Sequence, residues 1–337
     1  MINFIQFTLT RAFLSIITLL IVCFIVFSLM ELVPGTCAER YLAFKNTQGS
    51  QITFEDIAAE EKRLGLDKPF LYRYSKWVSD IVVKGDFGDS CILRISINEL
   101  LSGRFVLSLT IAITALLFSY AIAIPVGIIS ATTKYASLDN ALKFISYLGI
   151  ALPNFLVALC IMLFMTVYYG DTMTGLFSQE YENAPWSSAK VLDFLSRAWL
   201  PIFVLGWNAT AFALQTVRAL MLDENDKLYV MAARARGISG MSLLWRYPAK
   251  HSLGPVINSI GFDLNRIFSA LPVVALILIL TEAGALLIEA LARSNDQQLA
   301  GAIIFLLTAT IVFVNFVTDI ILAIMDPRIR KGVMGGS

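Results

Sequence analysis

The residues of this chain whose types could do chemistry are few, and their spacing defeats most chemistries. There is one histidine, His251, and there are four cysteines, Cys23, Cys37, Cys91 and Cys160, none paired at the short intervals that zinc ligands use. No H-E-x-x-H, no G-x-S-x-G and no G-x-x-x-x-G-K-[ST] phosphate loop occurs anywhere in the 337 residues. The sequence therefore nominates no catalytic residue and no metal ligand, and it holds no loop able to hydrolyse ATP. His251 lies in a basic segment, where a surface or headgroup-level histidine is the simpler reading. Carboxylates buried in an apolar span would mark an ion or proton path, and the clearest here is Asp319, the other polar residues within the spans, Asn208, Gln215 and Asn315, being uncharged. A lone carboxylate without a relay fits pairing with an arginine or another helix better than proton coupling. Glu282 and Glu289 are expected to face an outer vestibule.

The elements that hold these residues are set by hydropathy. The chain is 57% hydrophobic and 15% charged, with a mean hydropathy of +0.73. No charge occurs between Arg11 and Glu31, from Phe105 to Thr133, Phe144 to Gly170, Ala198 to Val217, Ile267 to Leu280, or Leu299 to Thr318. Crossing a hydrocarbon core takes about 20 helical residues, and lipid obliges each segment to satisfy its own backbone. The prediction is an all-α integral membrane protein with about six transmembrane helices, a long outer loop after the first and a cytoplasmic helix-turn-helix between the fourth and fifth. The first span is too long for a signal peptide and no cleavage site follows it, so it reads as a retained helix. In chain order this gives residues 1–33 as cytoplasmic N-terminus and first helix, 34–103 as an extracytoplasmic loop region, and 104–337 as a transmembrane core containing a cytoplasmic segment, 218–266. Phe54–Leu66 reads as an amphipathic helix in the loop region, and Ser188–Arg197 as a short helix in the second outer segment. Pro125, Pro153, Pro201 and Pro272 predict kinks.

Net charge is +1, which excludes nucleic acid as a bulk electrostatic partner and leaves the lipid bilayer as the solvent. Placing both termini in the cytoplasm puts Arg218, Lys227, Arg234, Arg236, Arg246, Lys250 and Arg266 inside together, as the positive-inside rule requires. The region 34–103 then lies outside, where disulfides persist. Cys37 and Cys91 stand near its two ends and are either bridged, closing a loop of about 55 residues, or unpaired thiols packed beneath it. Cys23 and Cys160 fall inside apolar spans and read as buried thiols.

Within residues 218–266, Leu228–Arg236 is rich in helix formers, Gly237 suits a helix end, and Ser239 can cap a second helix, Met241–Tyr247. Tyr229, Ala232, Ala233 and Arg236 share a face at helical spacing, with Arg234 beside them. Small residues flanked by arginines suit a short helix seated in a pocket of another protein. A basic helix lying on anionic headgroups fits the periodicity equally well.

Tyr229-Val230, Ala233, Ala235 and Gly237, followed by Leu244-Trp245-Arg246 and Pro255-Val256-Ile257, resemble the coupling-loop ("EAA") motif of binding-protein-dependent ABC importers, in the variant of the dipeptide/oligopeptide permease family. Leu64-Gly65-Leu66-Asp67-Lys68-Pro69, Gly85-Asp86-Phe87-Gly88, Ile124-Pro125-Val126-Gly127, Leu152-Pro153-Asn154-Phe155 and Asp326-Pro327-Arg328-Ile329-Arg330 are similar to further signatures of that family, in order. Two outer-face positions depart from the pattern: Thr36 follows Pro34-Gly35 in place of aspartate, and Ala283-Gly284-Ala285 replaces a Pro-Gly-Leu-Gly-like turn.

The resemblance implies a multi-pass protein of the bacterial inner membrane, working without a cofactor of its own. Its partners would be a second homologous permease, two cytoplasmic ATPases that bind ATP and magnesium, and an extracytoplasmic solute-binding protein. Tyr229, Ala232, Ala233, Arg234, Arg236 and Gly237 would couple it to the ATPases. An ion-coupled carrier or channel is the rival class. Within the importer class the cargo could instead be nickel complexes, glutathione or opines, and no substrate-binding residue is identified.

Overall fold

The computed structural model describes residues 2–32, 35–47, 53–133, 135–170, 172–182 and 184–325. The Asp326–Arg330 motif and Pro34 lie outside them. The described residues fold almost wholly as helices: α1 (Ile2–Glu31), α2 (Cys37–Thr47), α3 (Phe54–Leu64), α4 (Phe70–Lys84), α5 (Ile97–Leu101), α6 (Arg104–Thr132), α7 (Ala136–Ala151), α8 (Asn154–Tyr169), α9 (Ser188–Asn225), α10 (Leu228–Ala235), α11 (Gly240–Arg246), α12 (Pro248–Leu278), α13 (Ala283–Ile288) and, after a π-helical turn at Glu289–Ser294, α14 (Gln297–Met325). The only pairing of β type among them is an isolated bridge between Asp89 and Ser96.

Five stretches are long and apolar enough to cross a membrane: Phe4–Leu29, Ile97–Thr132, Ser188–Asn225, Pro248–Leu278 and Gln297–Ile324. The expected third span, Phe144–Gly170, is not one straight helix. It is the bent pair α7 and α8, whose axes turn by 101°. Proline lacks the N–H that would continue the ladder and drives its predecessor out of the helical region, and Leu152 accordingly sits at φ −85°, ψ 124°. Pro125, Pro201 and Pro272 stay within continuous helices.

Two further expectations change. Ser188–Arg197 is not a separate short helix but the first part of the 38-residue α9. Likewise the basic segment expected over 218–266 is shorter, because Arg218 lies inside α9 and everything from Pro248 to Arg266 belongs to α12.

Packing groups the chain differently from its order in sequence. Among the described residues, one compact unit comprises 2–12, 109–280 and 313–325. Here α9 is central, with Leu200, Val204, Leu205, Val217 and Met221 at most 1% exposed. Glycines let helices approach: a Cβ on Gly149 would stand 2.8 Å from Ala211 Cβ, and one on Gly261 would overlap the Asn315 amide. Such close approach is how membrane helices gain dispersion contacts where lipid removes the hydrophobic drive. Asp319 pairs with Arg11 at 3.3 Å. Cys160 is exposed, not buried as its span suggested.

The other unit comprises Phe13–Ser108 and Thr281–Val312. Phe24 and Phe27 of α1 meet Phe70, Tyr74 and Trp77 of α4 with ring centroids 5.3–5.8 Å apart, and Trp77 meets Phe305 of α14 at 6.0 Å. Each such pair contributes about 0.5–1.5 kcal/mol beyond its burial. The amphipathic helix expected at Phe54 is α3, started by a reciprocal Thr53–Asp56 capping box and ended by Gly65 at φ +70°. Glu282 does not face a vestibule: it is fully buried, accepts from Gly284 N and Ala285 N at 2.7 and 2.9 Å, and binds the Ser108 hydroxyl.

A disulfide joins Cys37 to Cys91, with Cα atoms 6.3 Å apart. Asp296, 1% exposed, accepts from Ser90 Oγ at 2.6 Å and Cys91 N at 2.8 Å while capping Leu299 N at 3.1 Å. Its neighbour Asn295 donates to Gly35 O at 2.6 Å. A bridge 54 residues apart in sequence stabilises by about 4 kcal/mol in the chain-entropy account. Alkylation of non-reduced protein followed by mass spectrometry should therefore label Cys160 and leave Cys37 and Cys91 unlabelled. Replacing both bridge cysteines by serine should lower the melting temperature in detergent, and an unchanged melting point would mean the bridge contributes nothing.

Candidate functional site

The segment from Glu224 to Tyr247 turns sharply out of the end of a long helix and back into another. Helix α9 stops at Asn225, and Lys227 adopts an extended conformation, φ −73° and ψ 149°, before α10 begins. Glu224 fixes the turn. One carboxylate oxygen accepts from Lys227 Nζ at 2.5 Å and the other from the Tyr229 hydroxyl at 2.7 Å. Burial, and then the bond to Glu224, push the Tyr229 phenol above its ordinary range, so it stays a neutral donor. The His251 and Tyr229 rings meet in a T-shaped arrangement at a centroid distance of 5.1 Å, and Arg234 donates to Asn225 Oδ1 at 2.6 Å. Thus the helix is held to the end of α9 at both its first and second turns.

Helix α10 ends where Gly237 takes φ +85°, a conformation only glycine adopts without penalty. Its amide and that of Ile238 return to Arg234 O and Ala233 O at 2.9 and 3.2 Å, closing the helix end. Ser239 occupies the position before α11 but makes no capping hydrogen bond with its side chain.

The structure places all six candidate residues on or just after α10, but not on one face. Ala233 is fully buried, with Val230 and Leu243, in a small core that Tyr229, Ile238 and Tyr247 complete. It therefore packs α10 onto α11 and has no surface to offer a partner. Ala232, Arg234, Arg236 and Gly237 are exposed. Beside them the sequence reading overlooked apolar side chains left open to solvent: Leu228 at 80%, Met241 at 60%, and Met231 and Trp245. The signal lay in the periodicity, since Leu228, Met231 and Ala232 follow an i, i+3, i+4 pattern of their own. Exposed leucine, methionine and tryptophan side chains, with exposed arginines on α10 and at its end, are residue types enriched where proteins dock.

Sequence reasoning also missed a polar group inside a span. Asp263 of α12 accepts from Tyr120 Oη at 2.5 Å and from Arg266 at 3.0 Å, and Tyr120 also meets Ser259 Oγ at 3.0 Å. These residues escaped notice because charge was used to end the apolar run. Among the described residues no group of three or more His, Cys, Asp or Glu could hold a metal ion. In the unit containing the disulfide, a cavity of about 770 Å³ is lined by both signs of charge, among them the paired Arg73 and Glu31.

Residues 123–331 match the family model described as "Binding-protein-dependent transport system inner membrane component", and residues 4–95 match the model of its N-terminal part. The oligopeptide transport system permease protein AppB of Bacillus subtilis (strain 168) is 28% identical over 321 residues, covering 95% of this chain and 98% of that one. The dipeptide transport system permease protein DppB of Escherichia coli (strain K12) is 26% identical over 341 residues, 96% and 98% of the two chains. The inner membrane ABC transporter permease protein YejB of Escherichia coli O157:H7 is 30% identical, covering 82% of this chain and 76% of that one. Among solved structures, an inward-facing form of the MetNI methionine ABC transporter superposes with a TM-score of 0.54 at 16% identity, over 67% of this chain and 96% of that chain. This last likeness is one of fold.

Tyr229→Phe removes one bond to Glu224 without changing the ring, at about 1 kcal/mol. The expected outcome is a complex that assembles but transports less per ATP hydrolysed, read as the ratio of uptake to phosphate release in proteoliposomes. An unchanged ratio would show that the Glu224 turn does not transmit motion.

Proposed function

The chain belongs to the binding-protein-dependent transport system inner membrane components, as the permease of an ATP-driven importer, and from that premise we propose that it forms half of a heterodimeric pore for small peptides. The observation that supports this most is the α10–α11 hairpin. Its exposed Leu228, Met231, Met241 and Trp245, with exposed Arg234 and Arg236, are what a cytoplasmic ATPase would seat. The peptide cargo follows from AppB and DppB, permeases of oligopeptide and dipeptide transport systems, which the chain matches nearly end to end.

In this reading two ATPases bind ATP and magnesium below the membrane, and a solute-binding protein delivers cargo from the other side. Both termini are cytoplasmic and the host membrane is a bacterial inner membrane. Closure of the ATPases pushes α10, and the Glu224 turn passes the displacement to α9. Because α9 is the most buried of the candidate spans, at 61%, its tilt moves its neighbours as a body, a rocking transition rather than a local one.

Gly237→Val tests the lever. Nothing lies within 4 Å of a Cβ built there, so the variant meets no clash, but φ +85° strains a β-branched residue by about 1–2 kcal/mol. The expected result is full membrane insertion with import reduced relative to ATP hydrolysis, and parental import would refute the docking role. Orientation has its own test. A reporter active only outside the inner membrane should be silent when fused after Gly240 and active when fused after Asp67, and the reverse pattern would invert the topology.

A further inference from the structure

Helix α12 presents an exposed stripe of unusual composition for a membrane span. Asn258, Phe262, Asn265, Ser269, Val273 and Leu276 recur at three- and four-residue intervals and are all exposed. On α1 the exposed residues are mostly apolar, Ile5, Leu9, Phe13, Ile16 and Leu20 among them, with Gln6, Thr10 and Thr18 as polar exceptions. An apolar stripe suits lipid, whereas an exposed asparagine such as Asn265, which falls within every possible membrane window of the helix, suits a partner or a water-filled path.

Arg266 borders the polar stripe. Whichever window of about 20 residues within Pro248–Leu278 crosses the membrane, the earliest ends at residue 267 and the latest starts at 259, so Asp263 and Arg266 fall inside every one. The guanidinium lies 3.8 Å from the Phe212 ring centroid and spends one donor on Asp263 Oδ1 at 3.0 Å. Asp263, its side chain 6% exposed, is held on its other oxygen by Tyr120. The Arg266 side chain is 37% exposed, and its remaining donors have no partner among the described residues. A cation is thus held by a carboxylate and a ring while its side chain stays partly exposed, inside a membrane-spanning segment.

We propose that Arg266 is a station for the cargo's free carboxylate on the translocation path, held in place by Asp263 and Phe212 as positioning residues. The inference rests on the peptide-importer reading. A guanidinium edge matches a carboxylate with two parallel hydrogen bonds. The resident Asp263 keeps the site neutral when empty and weakens the grip when occupied. That balance suits passage, since a transit site must release what it binds.

The test uses the complete complex in proteoliposomes, with trialanine and trialanine amide as cargo, in parental and Arg266→Gln forms. Any preference of the binding protein for one peptide is common to both forms and cancels when the ratios are compared. Losing one charge-assisted pair should lower trialanine import about tenfold, leaving amide import and stimulated ATP hydrolysis little changed, and Arg266→Lys should restore part of the preference. Equal loss for the two peptides, or no loss, overturns the station. Loss of the second permease from purified Arg266→Gln complexes also overturns it, in favour of a subunit contact. A parental complex that imports neither peptide refutes the peptide reading itself.

Discussion

In hydrocarbon a backbone amide has no water to turn to, and every feature of this chain that matters follows from where that rule is obeyed and where it is relaxed. Obedience produces the long helices, some of them longer than a bilayer needs, as with the 38 residues of α9. Relaxation occurs at defined places. The ladder is interrupted at Leu152–Pro153, and α9 is released at Asn225 into the turn that aims α10. Polar side chains then take up the groups the ladder leaves over. Gly149 O, whose ladder partner would be the N–H that Pro153 lacks, accepts instead from Asn208 at 3.0 Å.

The existence of the spans was legible because hydropathy integrates over many residues. Their boundaries were less so, for a physical reason. Ending a span at each charge treats every charge as solvated, yet Asp263 and Arg266 neutralise each other within α12, and Arg218 meets Asp139 at 2.8 Å within the same unit. A paired charge no longer obliges the helix to leave the bilayer, so the fifth span began earlier than its charge-free run. The same blindness made Ser188–Arg197 look like a separate helix, although Asp193 and Arg197 sit on successive turns of α9, 3.8 Å apart.

At the candidate site, local chemistry was readable and orientation was not. Glycine at position 237 announced a helix end, and the structure gives it a left-handed conformation. Which face of α10 was free could not be read from eight residues, since small side chains serve equally for packing inward and for close approach outward. Ala233 went to the chain's own core because Leu243 of α11 folds over it. The exposed leucine and methionines beside it became visible only once that face was taken.

The knot formed by Asn295, Asp296 and the Cys37–Cys91 bridge also has a history in time. Cys37 and Cys91 leave the ribosome early and close together, whereas Asp296 is 205 residues later than Cys91. At 5–20 residues per second that interval is about 10–40 s. Through it the Ser90 hydroxyl and the Cys91 amide lack the carboxylate that later binds them. A bridge that closes in this interval closes before Asp296 exists to seat it, so the loop's covalent and hydrogen-bonded closures are separate events.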